Sequence, residues 1–88
     1  MSFSVQLSGK ALKTLKSIDR YQAKIILSWI EKNLEGCSDP RVLGKSLSGN
    51  LKDYWRYRVG SYRLIADIQD TFVRIMIINI GHRRDIYD

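Results

Sequence analysis

The chain has 88 residues, of which 44% are hydrophobic and 27% charged, and this size and composition predict one folded domain over residues 1–88. Its single cysteine, Cys37, excludes an internal disulfide, and its single histidine, His82, excludes metal sites built from several cysteine or histidine ligands. Fifteen basic residues against nine acidic ones give a net charge of +6, which favours a polyanionic partner over a neutral metabolite.

The first residues carry no targeting signal that we can identify. Residues 1–6 lack the basic and apolar regions of a signal peptide. The longest apolar run, around residues 75–78, has the length of a strand rather than of a membrane span. We therefore expect a soluble, cytoplasmic protein that contacts no membrane.

A strand and two helices are predicted in the N-terminal half. Apolar residues alternate with polar ones over residues 3–7, which predicts a strand with one buried face. Ser8 suits the N-cap of a first helix, and the apolar spacing restarts around Asp19 to predict a second. Gly36 suits a left-handed position after the second helix. The two helices together predict an αα-hairpin.

The C-terminal half is predicted to be a three-stranded meander. After a loop over residues 37–49, the apolar period changes to two and predicts strands over residues 54–59 and 62–68. The Gly-Ser connection between them suits a type II′ or a type I′ turn. A third strand over residues 73–80 contains an unbroken apolar run, which suggests a central strand covered on both faces. The whole order, β-α-α-β-β-β, predicts an α+β fold with the αα-hairpin packed on a mainly antiparallel sheet.

The two-residue turn fixes the register of the predicted hairpin. It places Arg58 opposite Arg63 and Arg56 opposite Ile65, on one side of the sheet. Like charges directly opposite each other are unfavourable, and an anion between them relieves the repulsion because guanidinium groups match phosphate oxygens. The other side of the hairpin is predicted to face the core through Trp55, Tyr57, Val59, Tyr62, Leu64 and Ala66.

Basic residues concentrate around this hairpin and in the tail that follows the last strand. Residues 41–63 contain six basic residues and one acidic residue, a balance of +5. Such arginines can simply solvate an open sheet face. The tail favours a functional interpretation, because His82, Arg83, Arg84 and Tyr87 follow the last strand within six residues. Trp29, like the hairpin tryptophan, lies in phase with apolar neighbours and is predicted to be a core residue rather than a base-stacking platform.

Three segments carry a recognisable pattern: L-S-G-N-L at residues 47–51, W-R-x-R-V-G-x-Y-R at 55–63 and G-H-R-x-x-x-Y at 81–87. Together they resemble the RelE family of toxins from type II toxin–antitoxin systems, within the RelE/ParE superfamily. The motif order and the predicted elements match over essentially the whole chain. The resemblance implies a RelE-like, microbial ribonuclease-type fold.

The resemblance also implies an activity, that of a ribosome-dependent mRNA endoribonuclease (mRNA interferase). Such toxins cut mRNA in the ribosomal A site and so inhibit translation. The ribose 2′-OH attacks the adjacent phosphorus and leaves a 2′,3′-cyclic phosphate and a 5′-OH. This chemistry needs cations around the transition state, a proton acceptor and an acid for the leaving oxygen, but no metal or other cofactor.

Residue roles follow from the same resemblance. Arg63 matches the basic residue that holds the scissile phosphate, Arg83 the tail arginine that stabilises charge or the leaving group, and Tyr87 the tyrosine that stacks on the substrate nucleotide. The best-known members have lysines where this chain has Arg56 and Arg58. The RNA-binding residues are expected to be Lys45, Lys52, Arg56 and Arg84.

The proton acceptor stays open between two residues. An arginine is a poor general base because its pKa lies above about 12. Arg58 therefore either accepts the proton or only stabilises charge, and His82 is the rival candidate for proton transfer.

The resemblance further implies an antitoxin and the ribosome as partners, and it leaves two alternative functions open. A RelB-like antitoxin is expected to cover the basic face, which otherwise contacts mRNA and rRNA on the ribosome. One alternative is a ParE-like toxin that inhibits DNA gyrase by protein binding, without catalytic residues. Another is an RNA-binding or autoregulatory module that cuts nothing. The joint presence of Arg63, Arg83 and Tyr87 favours the nuclease.

Overall fold

The computed structural model describes residues 2–82, and within this range two helices pack on one face of a five-stranded sheet. The strand order is β1-β5-β4-β3-β2; β1 is parallel to β5 and the other pairs are antiparallel. This confirms the predicted α+β class. The elements are β1 (Ser4–Leu7), α1 (Gly9–Ser17), α2 (Arg20–Asn33), β2 (Lys45–Ser46), β3 (Trp55–Val59), β4 (Tyr62–Gln69) and β5 (Arg74–His82).

α1 begins at the predicted capping residue Ser8, and α2 begins at Asp19, where the apolar spacing restarts. The Ser8 hydroxyl accepts a hydrogen bond from the Ala11 amide at 3.0 Å. The Asp19 carboxylate accepts from the Tyr21 and Gln22 amides at 3.0 and 3.2 Å. Because these side chains satisfy amides that have no partner inside the helix, they define where each helix starts. Neither helix of residues 2–82 is long and apolar enough to cross a membrane.

The segment after α2 returns the chain to the outer edge of β1. Gly36 has the predicted left-handed conformation, with φ of +80°. Its amide donates to the Phe3 carbonyl, and the Phe3 amide donates to the Cys37 carbonyl, both at 2.8 Å. The Glu35 carboxylate accepts from the Val5 amide at 2.7 Å. These bonds cover the edge of β1 and so protect it against pairing with another chain.

A β-bulge in β5 sets which side chains face the helices. The extra residue is Ile78, whose carbonyl accepts a hydrogen bond from the Ser8 hydroxyl at 2.9 Å. Since the bulge shifts the alternation, Ile75 and Ile77 before it and Ile80 after it all lie in the core between sheet and helices. The apolar run had suggested a strand buried on both faces. In the structure the strand is fully buried only on the face toward the helices, and Ile78 itself is half-buried.

Replacing Ser8 with alanine is expected to lower the free energy of unfolding by about 2 kcal/mol, because one hydroxyl both caps α1 and binds the bulge carbonyl of Ile78. Urea denaturation measures the change. Ser17→Ala is the matched control, since the Ser17 hydroxyl makes one exposed bond at the other end of α1, and its effect should stay within about 0.5 kcal/mol. Equal losses in the two variants would contradict the double role of Ser8.

The region predicted as a loop over residues 37–49 contains the two-residue strand β2 and continues into a 3₁₀ turn at Gly49–Leu51. Sequence periodicity missed β2 because two polar residues cannot display an alternation. The loop before it is tied to the sheet by aromatic side chains. The Trp55 indole donates to the Leu43 carbonyl at 2.7 Å, and the Tyr57 hydroxyl donates to the Pro40 carbonyl.

Candidate functional site

The β3–β4 hairpin has the register predicted from its turn. Arg58 pairs with Arg63 and Arg56 with Ile65 across the two strands. In the connection, Gly60 has φ of +59°, whereas the serine after it is not in the positive-φ region, so the turn is of type II′ rather than type I′. The predicted core side of the hairpin is also confirmed, since all six of its residues belong to the core or pack against it.

Two rows of side chains cross the sheet on the face away from the helices. By register, the first row runs through Lys45, Arg56, Ile65 and Asn79, and the second through Arg58, Arg63 and Gly81. We call Arg56, Arg58 and Arg63 the arginine cluster. Gly81 is the partner of Arg63 on β5 and contributes no side chain to the second row.

Burial and mutual repulsion make the arginine cluster a preferred position for an anion. The Arg56 side chain is largely enclosed, with 7% of the residue exposed, and Arg63 is half-buried, whereas Arg58 is exposed. Burial lowers the pKa of Arg56, and the charges of Arg63 and Arg58 lower it further. The positive charges of Arg58 and Arg63 therefore act on Arg56, and a phosphate bound at the cluster would offset this repulsion and accept bidentate hydrogen bonds.

His82 lies on the other face of the sheet. It pairs with Tyr62, and the two rings meet edge to face with centroids 5.5 Å apart. Tyr62 packs against the core beneath the helices. Because cross-strand partners share a face, His82 is on the helix side, and Arg63 has Gly81 as its partner instead. The structure thus brings Lys45 to the arginine cluster but not His82.

The remaining predicted site residues lie outside the sheet or outside the described residues. Lys52 is exposed at the end of the 3₁₀ turn before β3. Arg83, Arg84 and Tyr87 lie outside the described residues. Among residues 2–82, no three His, Cys, Asp or Glu side chains are grouped as a metal site.

Asn79 is a candidate site residue that sequence reasoning missed. An unbroken alternation along β5 would place it on the same side as Ile77, facing the helices. The bulge at Ile78 instead places it in the row of Arg56 and Ile65. No local signal in the apolar run marks the bulge, so only the three-dimensional pairing with β4 reveals this position.

Comparison with known proteins agrees with this architecture. Residues 5–87 match the family model described as the ParE toxin of the type II toxin–antitoxin system parDE. The toxin RelG of Mycobacterium tuberculosis is 37% identical over 49 residues, which make up 56% of each protein, so the matched region spans little more than half of that relative.

Solved structures share the fold at low sequence identity. The chain is similar to the toxin–antitoxin complex RelBE2 of Mycobacterium tuberculosis, with a TM-score of 0.84 and 23% identity, covering 94% of this chain and 93% of the other. A mutant of the Escherichia coli toxin RelE in the free state gives a TM-score of 0.76 and 21% identity, covering 97% and 87%. The RelE–RelB complex of Pyrococcus horikoshii gives 0.65 and 22%, covering 94% and 97%.

Proposed function

Because this chain belongs to the RelE/ParE superfamily of toxins from type II toxin–antitoxin systems, we propose that it is a metal-independent endoribonuclease that cuts mRNA in the A site of the ribosome. The observation that supports this most is the pairing of Arg58 with Arg63 beside the enclosed Arg56. Guanidinium groups brought together from two neighbouring strands on one face of the sheet are suited to a phosphate whose charge increases during the reaction.

In the proposed reaction, the ribose 2′-OH gives its proton to the general base and attacks the adjacent phosphorus to form a 2′,3′-cyclic phosphate, while the bond to the 5′-oxygen breaks and that oxygen leaves with a proton as a 5′-OH. Negative charge builds on the phosphoryl oxygens, and Arg58 and Arg63 stabilise it from neighbouring strands. Arg83 would stabilise the leaving oxygen and Tyr87 would orient the nucleotide. RNA strands on either side of the cut would be held by Lys45, Lys52, Arg56 and Arg84.

Variants of Arg58 and His82 test which of the two accepts the proton. We expect His82→Ala to cut mRNA at a rate within a few-fold of wild type and with the same pH profile, because His82 and the arginine cluster are on opposite faces of the sheet. Arg58→Lys keeps the charge but loses the bidentate geometry, so roughly a tenfold slower single-turnover rate is expected. Single-turnover cleavage on programmed ribosomes between pH 5 and 9 measures both variants. Loss of one limb of the pH profile in His82→Ala would assign the proton transfer to His82 instead.

The proposed partners are an antitoxin and the ribosome. Several solved relatives are complexes of a RelE toxin with RelB, including those from Escherichia coli and Methanococcus jannaschii. A RelB-like antitoxin that covers the arginine cluster would block RNA binding directly. In its absence the same basic face would contact mRNA and rRNA in the cytoplasm.

A second candidate function is inhibition of DNA gyrase by protein binding. The observation that favours it is the family model itself, which describes a ParE toxin and matches residues 5–87. In that case the arginines would contact the surface of gyrase or stabilise the complex with it. Their geometry around a phosphate would then be irrelevant to the activity.

One experiment decides between the two functions by testing the chain on both targets, translated mRNA and DNA gyrase. The purified chain is added to a translating extract, where primer extension maps breaks in the mRNA, and to a supercoiling assay with purified gyrase. Breaks at A-site codons with unaffected gyrase support the nuclease. Inhibited supercoiling with intact mRNA supports the ParE-like function and rejects the nuclease.

A further inference from the structure

A cleft of about 450 Å³ opens at the outer edge of β3, beside the arginine cluster. Trp29 and Asn33 of α2 form the wall on the helix side, and Lys45, Arg56 and Arg58, whose side chains lie on the opposite face of the sheet, border the cleft from the strand edge. Its volume lies within the usual range for small-molecule sites, about 300–1,000 Å³. The cleft is therefore large enough to hold the uncharged part of a ligand while the charged part of the same ligand binds the arginine cluster.

The cleft exists because β2 stops after two residues. β2 begins only at Lys45, opposite Arg56, and Gly44 before it has φ of +81° and lies against the Arg56 carbonyl, so the chain there is not extended along β3. The amide of Leu47 donates to the carbonyl of Tyr54 at 3.1 Å, so the main-chain groups of alternate residues of β3, including Arg58, point to this side. Within residues 2–82 no strand pairs with this edge of β3 past Arg56, and the edge opens into the cleft.

The wall formed by α2 combines the planar ring of Trp29 with the side-chain amide of Asn33, which a hydrogen bond orients. Trp29 is half-buried; its ring contacts Tyr57 with centroids 5.6 Å apart and lines the cleft as well as the groove beside Ile25. The Asn33 side-chain nitrogen donates to the Trp29 carbonyl at 3.0 Å. This bond orients the amide, which retains an oxygen acceptor and a second N–H for another partner. A planar ring, a donor–acceptor amide and cations at the rim are the groups that recognise an unpaired nucleobase and its phosphate.

We propose that this cleft is a nucleobase-binding subsite, which takes one unpaired base of an RNA strand whose phosphate lies on the arginine cluster. The inference rests on the proposed function, since it assumes that RNA is the substrate, and it adds the residues that contact the base. Trp29 provides the stacking surface and Asn33 reads the edge of the base. Trp29 packs against the core as expected, but the proposal departs from the expectation that it is no base-stacking platform, because the ring also borders the cleft.

Binding of short oligonucleotides to the purified chain tests the subsite without requiring cleavage. Tetramers of each of the four ribonucleotides are compared with an abasic tetramer of equal charge, and tryptophan fluorescence is recorded. We expect the base-containing tetramers to bind at least about fivefold more tightly than the abasic one and to quench the fluorescence. Trp29→Phe should remove most of the quenching. Asn33→Ala should change the ranking of the four bases, whereas Gln22→Ala, elsewhere on α2, should not.

The outcomes separate the subsite from the proposed function. Equal affinity for abasic and base-containing tetramers, with unchanged fluorescence, rejects the subsite but leaves phosphate binding and mRNA cleavage intact. Quenching of Trp29 by a cognate antitoxin and by no oligonucleotide would make the cleft a protein-docking surface and also reject it. If the wild-type chain cuts no mRNA on ribosomes, the proposed function fails by its own assay. Where cleavage occurs, Asn33→Ala should alter the nucleotide preference at the cut.

Discussion

Arg63→Ala is expected to lower the single-turnover rate of ribosome-dependent mRNA cleavage by about 10²–10³-fold, the usual cost of losing one group that stabilises transition-state charge. The hairpin register sets Arg63 between Arg58 and Gly81, and in the proposed reaction it would hold the scissile phosphate. Half-burial strengthens its interaction with a phosphate, since water screens it less. Primer extension on programmed ribosomes measures the rate, and thermal melting verifies that the variant is folded.

Arg74→Ala is the control for a general loss of positive charge. Arg74 lies on the same sheet face, but its guanidinium donates to Gln69 at 2.6 Å and sits over the Phe72 ring. Its removal changes the net charge equally and should slow cleavage by no more than a few-fold. Similar losses in Arg63→Ala and Arg74→Ala would mean that the basic face only attracts RNA. Full activity of Arg63→Ala would reject its role at the scissile phosphate.

The part of the site that could be predicted from sequence is the part determined locally. A two-residue turn leaves one register for the hairpin, so the pairing of Arg58 with Arg63 followed from counting residues. The two helix starts could also be predicted, the first from the capping residue Ser8 and the second from the restart of the apolar spacing around Asp19.

The features that sequence reasoning missed depend on contacts between distant segments. The bulge at Ile78 is stabilised by Ser8, seventy positions earlier, and it decides that Asn79 faces the arginine cluster. The same pairing puts His82 beside Tyr62 on the helix side, which proximity in sequence to the tail arginines had obscured. The hydrophobic periodicity of the sequence does not predict which residues of β4 and β5 pair, because the pairing depends on how the two strands align in the folded sheet.

The cleft beside β3 could not be anticipated for a related reason. It is formed where α2, the loop before β2 and the edge of β3 meet, and each segment alone has an ordinary pattern. The turn at Gly44 is what holds these segments in place.

Gly44→Ala is accordingly expected to destabilise the fold by about 2–5 kcal/mol, a large share of the stability of a small domain. A Cβ at this position would collide with the Arg56 carbonyl oxygen and lie 2.7 Å from the Trp55 indole nitrogen. The backbone, at φ of +81°, adds strain for any residue with a Cβ. Relief of the collision requires the loop to move away from β3, which breaks the bond from Trp55 to Leu43. The melting temperature should fall by more than about 10 °C.

Gly36→Ala separates the collision from the backbone strain. Gly36 has nearly the same φ, +80°, but a Cβ there would meet nothing within 4 Å. Its cost should be about 1–2 kcal/mol, the strain alone. The difference between the two variants in denaturant unfolding then measures the close approach of the loop to β3. Equal losses would show that Gly44 is needed only for its backbone conformation, and the tight junction between the loop and β3 would contribute nothing to the stability of the fold.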